Sequence, residues 1–224
     1  IWHIMKLYSH YGFNDFIICA GYKQDYIKEW FHHYFINNSD VTFDYTDGNG
    51  VIIQHQRTEK WRVTVVDTGL NTMTGGRVKR IQEYIGDEEF MITYGDAVCD
   101  VDISKLLEFH NSHDKLGTIT AVIRNQEKGI LDISDVGFVR SFREKQKNDG
   151  IPINAGYMVM SPKVFDYINS DNDAFEKAVL EKLADESQLM SYQHYGFWQC
   201  MDSVRELEML QKIWDSGDVP WKKW

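Results

Sequence analysis

The sequence of 224 residues has only three cysteines and three prolines. Cys19, Cys99 and Cys200 are odd in number and lack the spacing of metal ligands, which argues against a disulfide framework and a zinc site. Unpaired thiols are typical of a reducing compartment, so we expect a cytoplasmic protein. No Pro/Gly-rich linker, internal repeat or low-complexity tract divides the chain, and we therefore expect one domain over residues 1–224.

Long apolar runs and an excess of positive charge are also missing. No segment approaches the roughly 18 apolar residues of a transmembrane helix, and no signal peptide is visible. The formal net charge of −10 disfavours nucleic acid and anionic membranes as partners, because both select basic surfaces. A small phosphate-bearing molecule remains compatible with this charge, since its pocket needs only local cations and backbone N–H groups.

Strand and helix patterns alternate along the chain. The apolar run Asp15–Gly21 predicts a buried strand, and residues 23–35 predict a helix whose inward face carries Ile27, Trp30, Phe31 and Tyr34. Such alternation predicts an α/β fold with helical crossovers between parallel strands. Residues 41–66 interrupt it with a predicted hairpin around the Asp47-Gly-Asn-Gly50 turn and a following strand.

The rest of the chain continues the α/β pattern. Helices are predicted at residues 1–11, 74–85, 104–113, 175–183 and 204–216, with one more starting at Pro162, and strands at residues 90–95, 118–123, 137–142 and 153–160.

Two acids that follow apolar segments are the strongest functional signal. Phe90-Met-Ile-Thr-Tyr-Gly-Asp96 ends a predicted buried strand in Gly-Asp, and Gly196-Phe-Trp-Gln-Cys-Met-Asp202 ends just before a helix. Ligands of open α/β sheets bind at the carboxyl ends of the strands, so Asp96 is placed for chemistry. Two carboxylates brought together there suit Mg²⁺ holding substrate phosphates. The alternative is that Asp96 is a turn residue and Asp202 a helix N-cap.

A glycine-rich loop leads into the helix predicted from residue 74. In Thr72-Met-Thr-Gly-Gly-Arg77, the glycines Gly75 and Gly76 would let backbone amides approach a ligand, and Arg77 adds a cation. The alternative is a structural Gly-Gly turn at the start of a helix.

Three polar residues near two further strands could bind a sugar phosphate. Glu144 could accept hydrogen bonds from sugar hydroxyls, Lys145 could pair with a phosphate, and Asn154 could bind hydroxyls as donor and acceptor. The alternatives are a solvated, charged strand end for the first two and a turn asparagine for the third. Nucleophile elbow, zinc box and Walker loop patterns are absent from the sequence. The combination favours metal-assisted phosphoryl or nucleotidyl transfer.

These motifs give the chain a resemblance to the sugar-1-phosphate nucleotidylyltransferases, most closely to their glucose-1-phosphate cytidylyltransferase branch. The Tyr-Gly-Asp segment is common to many members, whereas the Met-Thr-Gly-Gly-Arg and Phe-Trp-Gln-x-Met-Asp forms are more specific to the cytidylyl branch. The matching segments, in order, are Trp2-His-Ile-Met-Lys6, Asp15-Phe-Ile-Ile-Cys19, Gly21-Tyr-Lys23, Val66-Asp-Thr-Gly69, Met73-Thr-Gly-Gly-Arg77, Thr93-Tyr-Gly-Asp96 and Phe197-Trp-Gln-Cys-Met-Asp202.

The resemblance implies a fold, a reaction and roles for individual residues. The fold would be Rossmann-like, with a mixed, mostly parallel sheet and helices on both faces, and residues 41–66 would be an insertion. An oxygen of glucose 1-phosphate would attack the α-phosphorus of CTP, giving CDP-glucose for dideoxysugars of the O-antigen, and pyrophosphate. The implied residues are Asp96 and Asp202 for Mg²⁺, with Lys145 as a third catalytic group; Gly95, Glu144, Lys145, Asn154 and Gly156 for the sugar phosphate; and Thr74, Gly75, Gly76 and Arg77 for the nucleotide.

The chain departs from the family pattern in two places. The Gly-Gly-x-Gly-Thr-Arg phosphate loop, with its strand, would precede Ile1, so we expect an N-terminally incomplete domain that lacks about 30 residues of a βαβ unit and has weak catalysis. Gln126-Glu-Lys-Gly129 and Gln146 replace family residues on the sugar side. Two other functions stay open, a non-catalytic sugar-nucleotide-binding subunit and the same chemistry with dTTP or UTP. A homo-oligomer is also expected.

Overall fold

The computed structural model describes residues 1–124, 130–144 and 150–224. Their contacts divide them into two compact units: unit 1 comprises residues 1–11, 89–161 and 186–224, and unit 2 comprises residues 12–88 and 162–185. The organisation into a single domain therefore stays a prediction.

The helices and strands follow the predicted alternation. The helices are α1 (Trp2–His10), α2 (Gln24–Asn37), α3 (Thr74–Arg80), α4 (Gln82–Ile85), α5 (Ile103–Asn111), α6 (Lys182–Asp185) and α7 (Val204–Ser216), with a 3₁₀ helix at Pro162–Tyr167 and a π-helical segment at Glu176–Glu181. The strands are β1 (Asp15–Ala20), β2 (Asp40–Asp44), β3 (Gly50–Gln54), β4 (Arg62–Asp67), β5 (Phe90–Thr93), β6 (Ala97–Cys99), β7 (Gly117–Arg124), β8 (Ile130–Ile133), β9 (Val139–Arg143), β10 (Ile151–Met160), β11 (Leu189–His194) and β12 (Trp198–Cys200).

Unit 1 is built on a four-stranded mixed sheet in the order β11-β7-β10-β5. Strand β11 is parallel to β7, and β10 is antiparallel to both β7 and β5. Three of the four strands therefore run in one direction, and only β10 is reversed. The core of the unit includes Tyr157 and Met158 of β10 and Leu106 of α5, none of which is exposed to solvent. Helix α1 adds Tyr8, whose ring stacks on that of Tyr157.

A short antiparallel ladder of strands β6 and β12 forms the frame of the candidate site. Strand β6 directly follows the β5 turn and pairs with β12, with Ala97 opposite Cys200 and Cys99 opposite Trp198. Both strands have only three residues. Hydrogen bonds outside the strands extend the pairing at each end, from Met201 N–H to the Asp96 carbonyl and from Asp100 N–H to the Phe197 carbonyl.

Unit 2 contains the parallel pair β1–β4 and the antiparallel hairpin β2–β3. Strands β2 and β3 form a hairpin and β4 follows it, at the positions predicted within residues 41–66, and the role of this stretch as an insertion stays a prediction. The core of this unit includes Phe165, Phe175, Val179 and Leu183.

Helix α2 of unit 2 differs from expectation in its burial. None of its residues is buried, and Trp30 is 44% exposed. The predicted inward face is instead half-covered by aromatic contacts, because Tyr34 stacks on Trp61 and Trp30 packs on Tyr34. The two-stranded sheet β1–β4 offers the helix only a narrow surface, which limits how far its residues can be buried.

Within the described residues, no helix is both long and apolar enough to cross a membrane.

Candidate functional site

The β6–β12 ladder of unit 1 brings the two predicted acids to the same end of one strand pair. Met201 N–H donates to the Asp96 carbonyl oxygen with an N···O distance of 2.8 Å, so Asp202 follows directly after the residue bonded to Asp96. Both acids are exposed to solvent. Positions 96 and 202 are far apart in sequence. The pairing of two three-residue strands, β6 and β12, brings them together.

The side chain of Asp202 is not the cap of helix α7. Ser203 is the N-cap: its hydroxyl accepts a hydrogen bond from Glu206 N–H, and the Glu206 carboxylate accepts hydrogen bonds from the backbone N–H groups of Asp202 and Ser203. This reciprocal arrangement satisfies the first turn of the helix without the Asp202 carboxylate. The Asp202 carboxylate thus stays available to a ligand, and the capping box holds its backbone in place.

The donor atoms around Asp202 suit a hard cation only in part. The ligand atoms of Cys200, Asp202 and Glu206 lie within 4.8 Å of one another. Burial raises the pKa of the Cys200 thiol to about 11, and the hydrogen bond from the Ser203 hydroxyl lowers the pKa of Glu206, which caps the helix. The exposed carboxylates of Asp96 and Asp202 are the oxygen donors that Mg²⁺ prefers, so these two residues fit that ion.

Gly95, just before Asp96, faces open space. A Cβ placed on it would find only the Ile1 Cγ1 atom, at 4.0 Å. Packing therefore does not require a glycine here, and the position leaves room beside Asp96 for a ligand to approach the backbone.

Gly156 and Asn154 lie in an irregularity of β10. The register with β7 shifts between Asn154 and Met158, and Gly156 has φ +80°. A Cβ on Gly156 would lie 2.6 Å from the Cδ2 atom of the Tyr94 ring, and the Asn154 side-chain oxygen accepts a hydrogen bond from Gly156 N–H at 2.9 Å. The Trp198 indole N–H donates to the Ala155 carbonyl, which fastens the bulge to β12. Both residues thus shape the strand, and their contact with a sugar stays a prediction.

Glu144 follows β9 and is exposed, as its predicted role requires. Lys145 lies outside the described residues, as do Gln126 to Gly129 and Gln146.

The glycine-rich loop of unit 2 is closely packed against residues 171–176. A Cβ on Gly75 would lie 2.6 Å from the Asp173 carbonyl oxygen, and one on Gly76 would lie 2.7 Å from Asp171 Cα. The N–H groups of both glycines donate to the Asp173 carbonyl. The Thr74 hydroxyl donates to the Glu176 carboxylate and accepts from Phe175 N–H. The chain itself therefore occupies the space that was expected to admit a ligand, because these glycines allow two backbone segments to touch.

Arg77 is also held within unit 2. Its guanidinium donates to the Thr68 hydroxyl at 2.7 Å and to the carbonyl oxygens of Ala20 and Leu70. These bonds tie together the carboxyl ends of the parallel strands β1 and β4. Nucleotide binding by Thr74 to Arg77 stays a prediction.

A cavity of about 550 Å³ in unit 1 was not predicted from the sequence. It lies beside the start of α7, and its lining includes Arg124, Trp198, Gln199, Arg205 and Glu206. Arg124 comes within 3.8 Å of the Glu206 carboxylate. In the sequence, Arg205 could have been noticed as a cation three residues after Asp202. No sequence pattern indicated that Arg124 would line the same cavity.

Comparisons with known proteins agree with this architecture. The family described as "Nucleotidyl transferase" matches residues 1–207. The chain is 48% identical to glucose-1-phosphate cytidylyltransferase of Salmonella typhi and 39% identical to the probable glucose-1-phosphate cytidylyltransferase of Bacillus subtilis, in both cases covering 100% of this chain and 87% of the other. The crystal structure of HddC from Yersinia pseudotuberculosis superposes with a TM-score of 0.65 at 21% identity, covering 95% of this chain and 84% of that one. The fold-class prediction is thereby confirmed, and the chain belongs to the nucleotidyl transferase family.

Proposed function

We propose that this protein is a glucose-1-phosphate cytidylyltransferase. A phosphate oxygen of α-D-glucose 1-phosphate attacks the α-phosphorus of CTP, the bond from that phosphorus to the oxygen bridging to the β-phosphate breaks, and CDP-glucose and pyrophosphate form. The observation that carries the proposal is the high identity, along the whole chain, to two proteins of this name from different bacteria. The two exposed acids at one end of the β6–β12 ladder support the chemistry.

The proposal assigns a divalent cation, Mg²⁺, to Asp96 and Asp202. When bound, the ion would neutralise charge on the triphosphate and polarise the α-phosphorus. The contribution of the chain itself is positional. The Met201–Asp96 hydrogen bond and the Ser203–Glu206 capping box fix the backbone on both sides of Asp202, so its carboxylate needs little reordering on binding.

The sugar phosphate is assigned to residues around the same ladder. Gly95 offers an open backbone beside Asp96, Glu144 is exposed, and the bulge of Asn154 and Gly156 is fastened to β12 through Trp198. Lys145 completes this set as the phosphate-pairing cation and third catalytic group. Thr74, Gly75, Gly76 and Arg77 are assigned to the nucleotide side, where the hydrogen bonds from the Gly75 and Gly76 N–H groups to the Asp173 carbonyl would keep the loop rigid.

The finer biology is part of the same proposal. CDP-glucose would feed dideoxysugar synthesis for the O-antigen. A cytoplasmic location is supported by the three free thiols. A homo-oligomer is supported by the hairpin β8–β9, whose side chains Leu131, Phe138 and Phe142 are about half or more exposed, because such apolar hairpins are commonly covered by another chain.

The test is a turnover assay of the purified protein with glucose 1-phosphate and CTP, dTTP or UTP, with Mg²⁺ and with a chelator. With glucose 1-phosphate present, we expect CDP-glucose and pyrophosphate to form only when both CTP and Mg²⁺ are supplied. Turnover with dTTP or UTP in preference to CTP would reassign the base, and tight CDP-glucose binding without turnover on any nucleotide would reassign the protein as a binding subunit.

A further inference from the structure

The β6–β12 ladder is fastened at the end opposite Asp96 by one acidic side chain, that of Asp100. Its Oδ1 atom accepts a hydrogen bond from Phe197 N–H at 2.6 Å, while Asp100 N–H donates to the Phe197 carbonyl at 3.0 Å. Asp100 therefore grips the residue directly before β12 by both its backbone and its side chain.

Two cationic or ionisable groups also contact the Asp100 carboxylate. The Nε2 atom of His194 lies 3.0 Å from Oδ1, and the ammonium group of Lys223 lies 3.4 Å from Oδ2. The side chains of Asp100 and His194 are 20% and 11% exposed. The carboxylate thus joins β6, the end of β11 and the C-terminal segment in a site largely shielded from water, where charge-assisted hydrogen bonds are strong.

The turn between His194 and Phe197 is shaped around this carboxylate. A Cβ on Gly196 would meet Asp100 Oδ1 and, at 2.7 Å, the Cε1 atom of His194. The Phe197 ring stacks on Trp221, which is 3% exposed. A larger residue at position 196 would therefore require the Asp100 carboxylate and the His194 ring to shift.

Only three residue pairs separate this fastening from the acids at the other end. Such a short ladder has little pairing energy of its own to define its register, and a shift by one residue turns every side chain to the opposite face. A slip at Phe197 would therefore move Met201 away from the Asp96 carbonyl and change the position of Asp202.

We propose that Asp100 is a positioning residue, whose carboxylate fixes the register of β12 on β6 and thereby sets the separation of the Asp96 and Asp202 carboxylates. The inference rests on the proposed function, in which those two acids hold the divalent cation. Asp100 itself does not ligate that ion, since protein donors occupy both of its oxygens.

The test compares Asp100→Ala, Asp100→Asn and the matched control Lys223→Gln, which removes only the partner of Oδ2. Mn²⁺ binding is measured by electron paramagnetic resonance on the full protein without substrates, and hydrogen exchange is followed at the Met201 amide. We expect Asp100→Ala to weaken Mn²⁺ binding about tenfold or more, as for other residues that orient metal ligands, and to accelerate exchange at Met201. Asp100→Asn keeps an oxygen acceptor for Phe197 N–H and should fall between Ala and wild type. Lys223→Gln should change the Mn²⁺ affinity by about twofold at most.

In turnover assays, Asp100→Ala should raise the Mg²⁺ concentration needed for half-maximal rate while leaving the KM for CTP at saturating Mg²⁺ nearly unchanged. A merely structural role would instead lower the melting temperature without this split. If Asp100→Ala does not fold, Asp100→Asn carries the comparison.

Two results would overturn the inference. One is a folded Asp100→Ala protein with wild-type Mn²⁺ affinity and wild-type exchange at Met201. The other is a loss of Mn²⁺ affinity in Cys99→Ala as large as that in Asp100→Ala. The donor atoms of Cys99, Asp100 and His194 lie within 4.8 Å of one another, so this result would mean that Asp100 is itself a metal ligand. If the wild-type protein makes no CDP-glucose, the proposed function fails, but the Mn²⁺ and exchange comparisons still decide the role of Asp100.

Discussion

Two glycine-containing regions of this protein look alike in sequence and differ in structure. The Tyr94-Gly-Asp96 turn of unit 1 places Gly95 against open space, with its nearest possible contact at 4.0 Å, and leaves the acid beside it exposed. In the Thr74-Gly-Gly-Arg77 segment of unit 2, a Cβ on Gly75 or Gly76 would lie only 2.6 or 2.7 Å from another backbone segment. A glycine can thus admit a ligand or admit the chain itself, and only the surroundings of its missing Cβ distinguish the two uses.

The largest expected effect lies in the open region. Asp202→Asn should lower kcat/KM for CDP-glucose synthesis by about 10²-fold or more, because it removes one of two carboxylates assigned to the cation. The melting temperature should hardly change, since the side chain is exposed and the helix is capped by Ser203. Steady-state kinetics and thermal unfolding measure both effects.

The control for this substitution is Asp114→Asn, whose side chain is 93% exposed in another part of unit 1. It should keep wild-type kinetics. An Asp202→Asn enzyme as active as this control would remove the acid pair from the mechanism and would leave the open region without a function.

Substitution of a glycine in the closely packed region should lower the stability of the protein. Gly75→Ala places a methyl group against the Asp173 carbonyl and the Phe175 backbone, where neither neighbour is a flexible side-chain end. We expect the free energy of unfolding to fall by about 1–3 kcal/mol, as for other overpacked sites. Chemical denaturation measures it.

Gly50→Ala in strand β3 is the matched control in the same unit. Its Cβ would make ordinary contacts at 3.8 Å with Asp44, and alanine restricts the unfolded chain. Its stability should stay equal or rise slightly. Equal stabilities of the Gly75 and Gly50 variants would contradict the contrast between packed and open glycines.

A smaller effect tests what holds Asp202 in place. Ser203→Ala removes the N-cap of α7 and half of its capping box, which should cost about 1 kcal/mol of stability. If the cap also positions Asp202, the Mg²⁺ requirement should rise together with the loss of stability. Thermal unfolding and a Mg²⁺ titration of the rate check the two parts, and a normal titration would limit the cap to a role in folding.

The same variant should change the response to acid. The Ser203 hydroxyl is the main cause that lowers the pKa of Glu206 below its usual 4.5. A carboxyl with a lowered pKa in the folded protein stabilises it above the usual pKa, and this contribution is lost as the pH falls through the folded value. Unfolding measured from neutral pH to below pH 4.5 should therefore show a smaller acid-induced loss in Ser203→Ala than in wild type.

Elements with a clear pattern could be predicted from the sequence, including the four-residue strand β5, whereas the six-residue strand β11 was missed. Helix α7 begins at Val204 and ends at Ser216 as its pattern predicted, because periodicity and the closing Gly217 both mark it. Strands β6 and β12 were missed, since three residues cannot display a period. The fold class followed from alternation and from the family motifs, but the reversed direction of β10 had no local signal.

The candidate site shows the same limit. Asp96 and Asp202 were recognised as acids after apolar segments, yet the ladder that joins them, the Ser203 cap and the role of Asp100 depend on contacts between distant residues. For Gly75 and Gly76 the sequence left both a ligand-binding loop and a structural turn open, because it does not reveal what lies opposite a missing Cβ.

The smallest effect on stability, and the sharpest test of the contrast, is expected at Gly95. A methyl group there meets only the Ile1 side chain at contact distance, so the free energy of unfolding of Gly95→Ala should stay within about 0.5 kcal/mol of wild type. If a sugar phosphate approaches this backbone, the KM for glucose 1-phosphate should rise several-fold while the KM for CTP changes less. Unchanged kinetics would mean that open space beside Asp96 is not used, and the sugar would then have to be sought elsewhere in unit 1, first in the cavity beside Arg124 and Arg205.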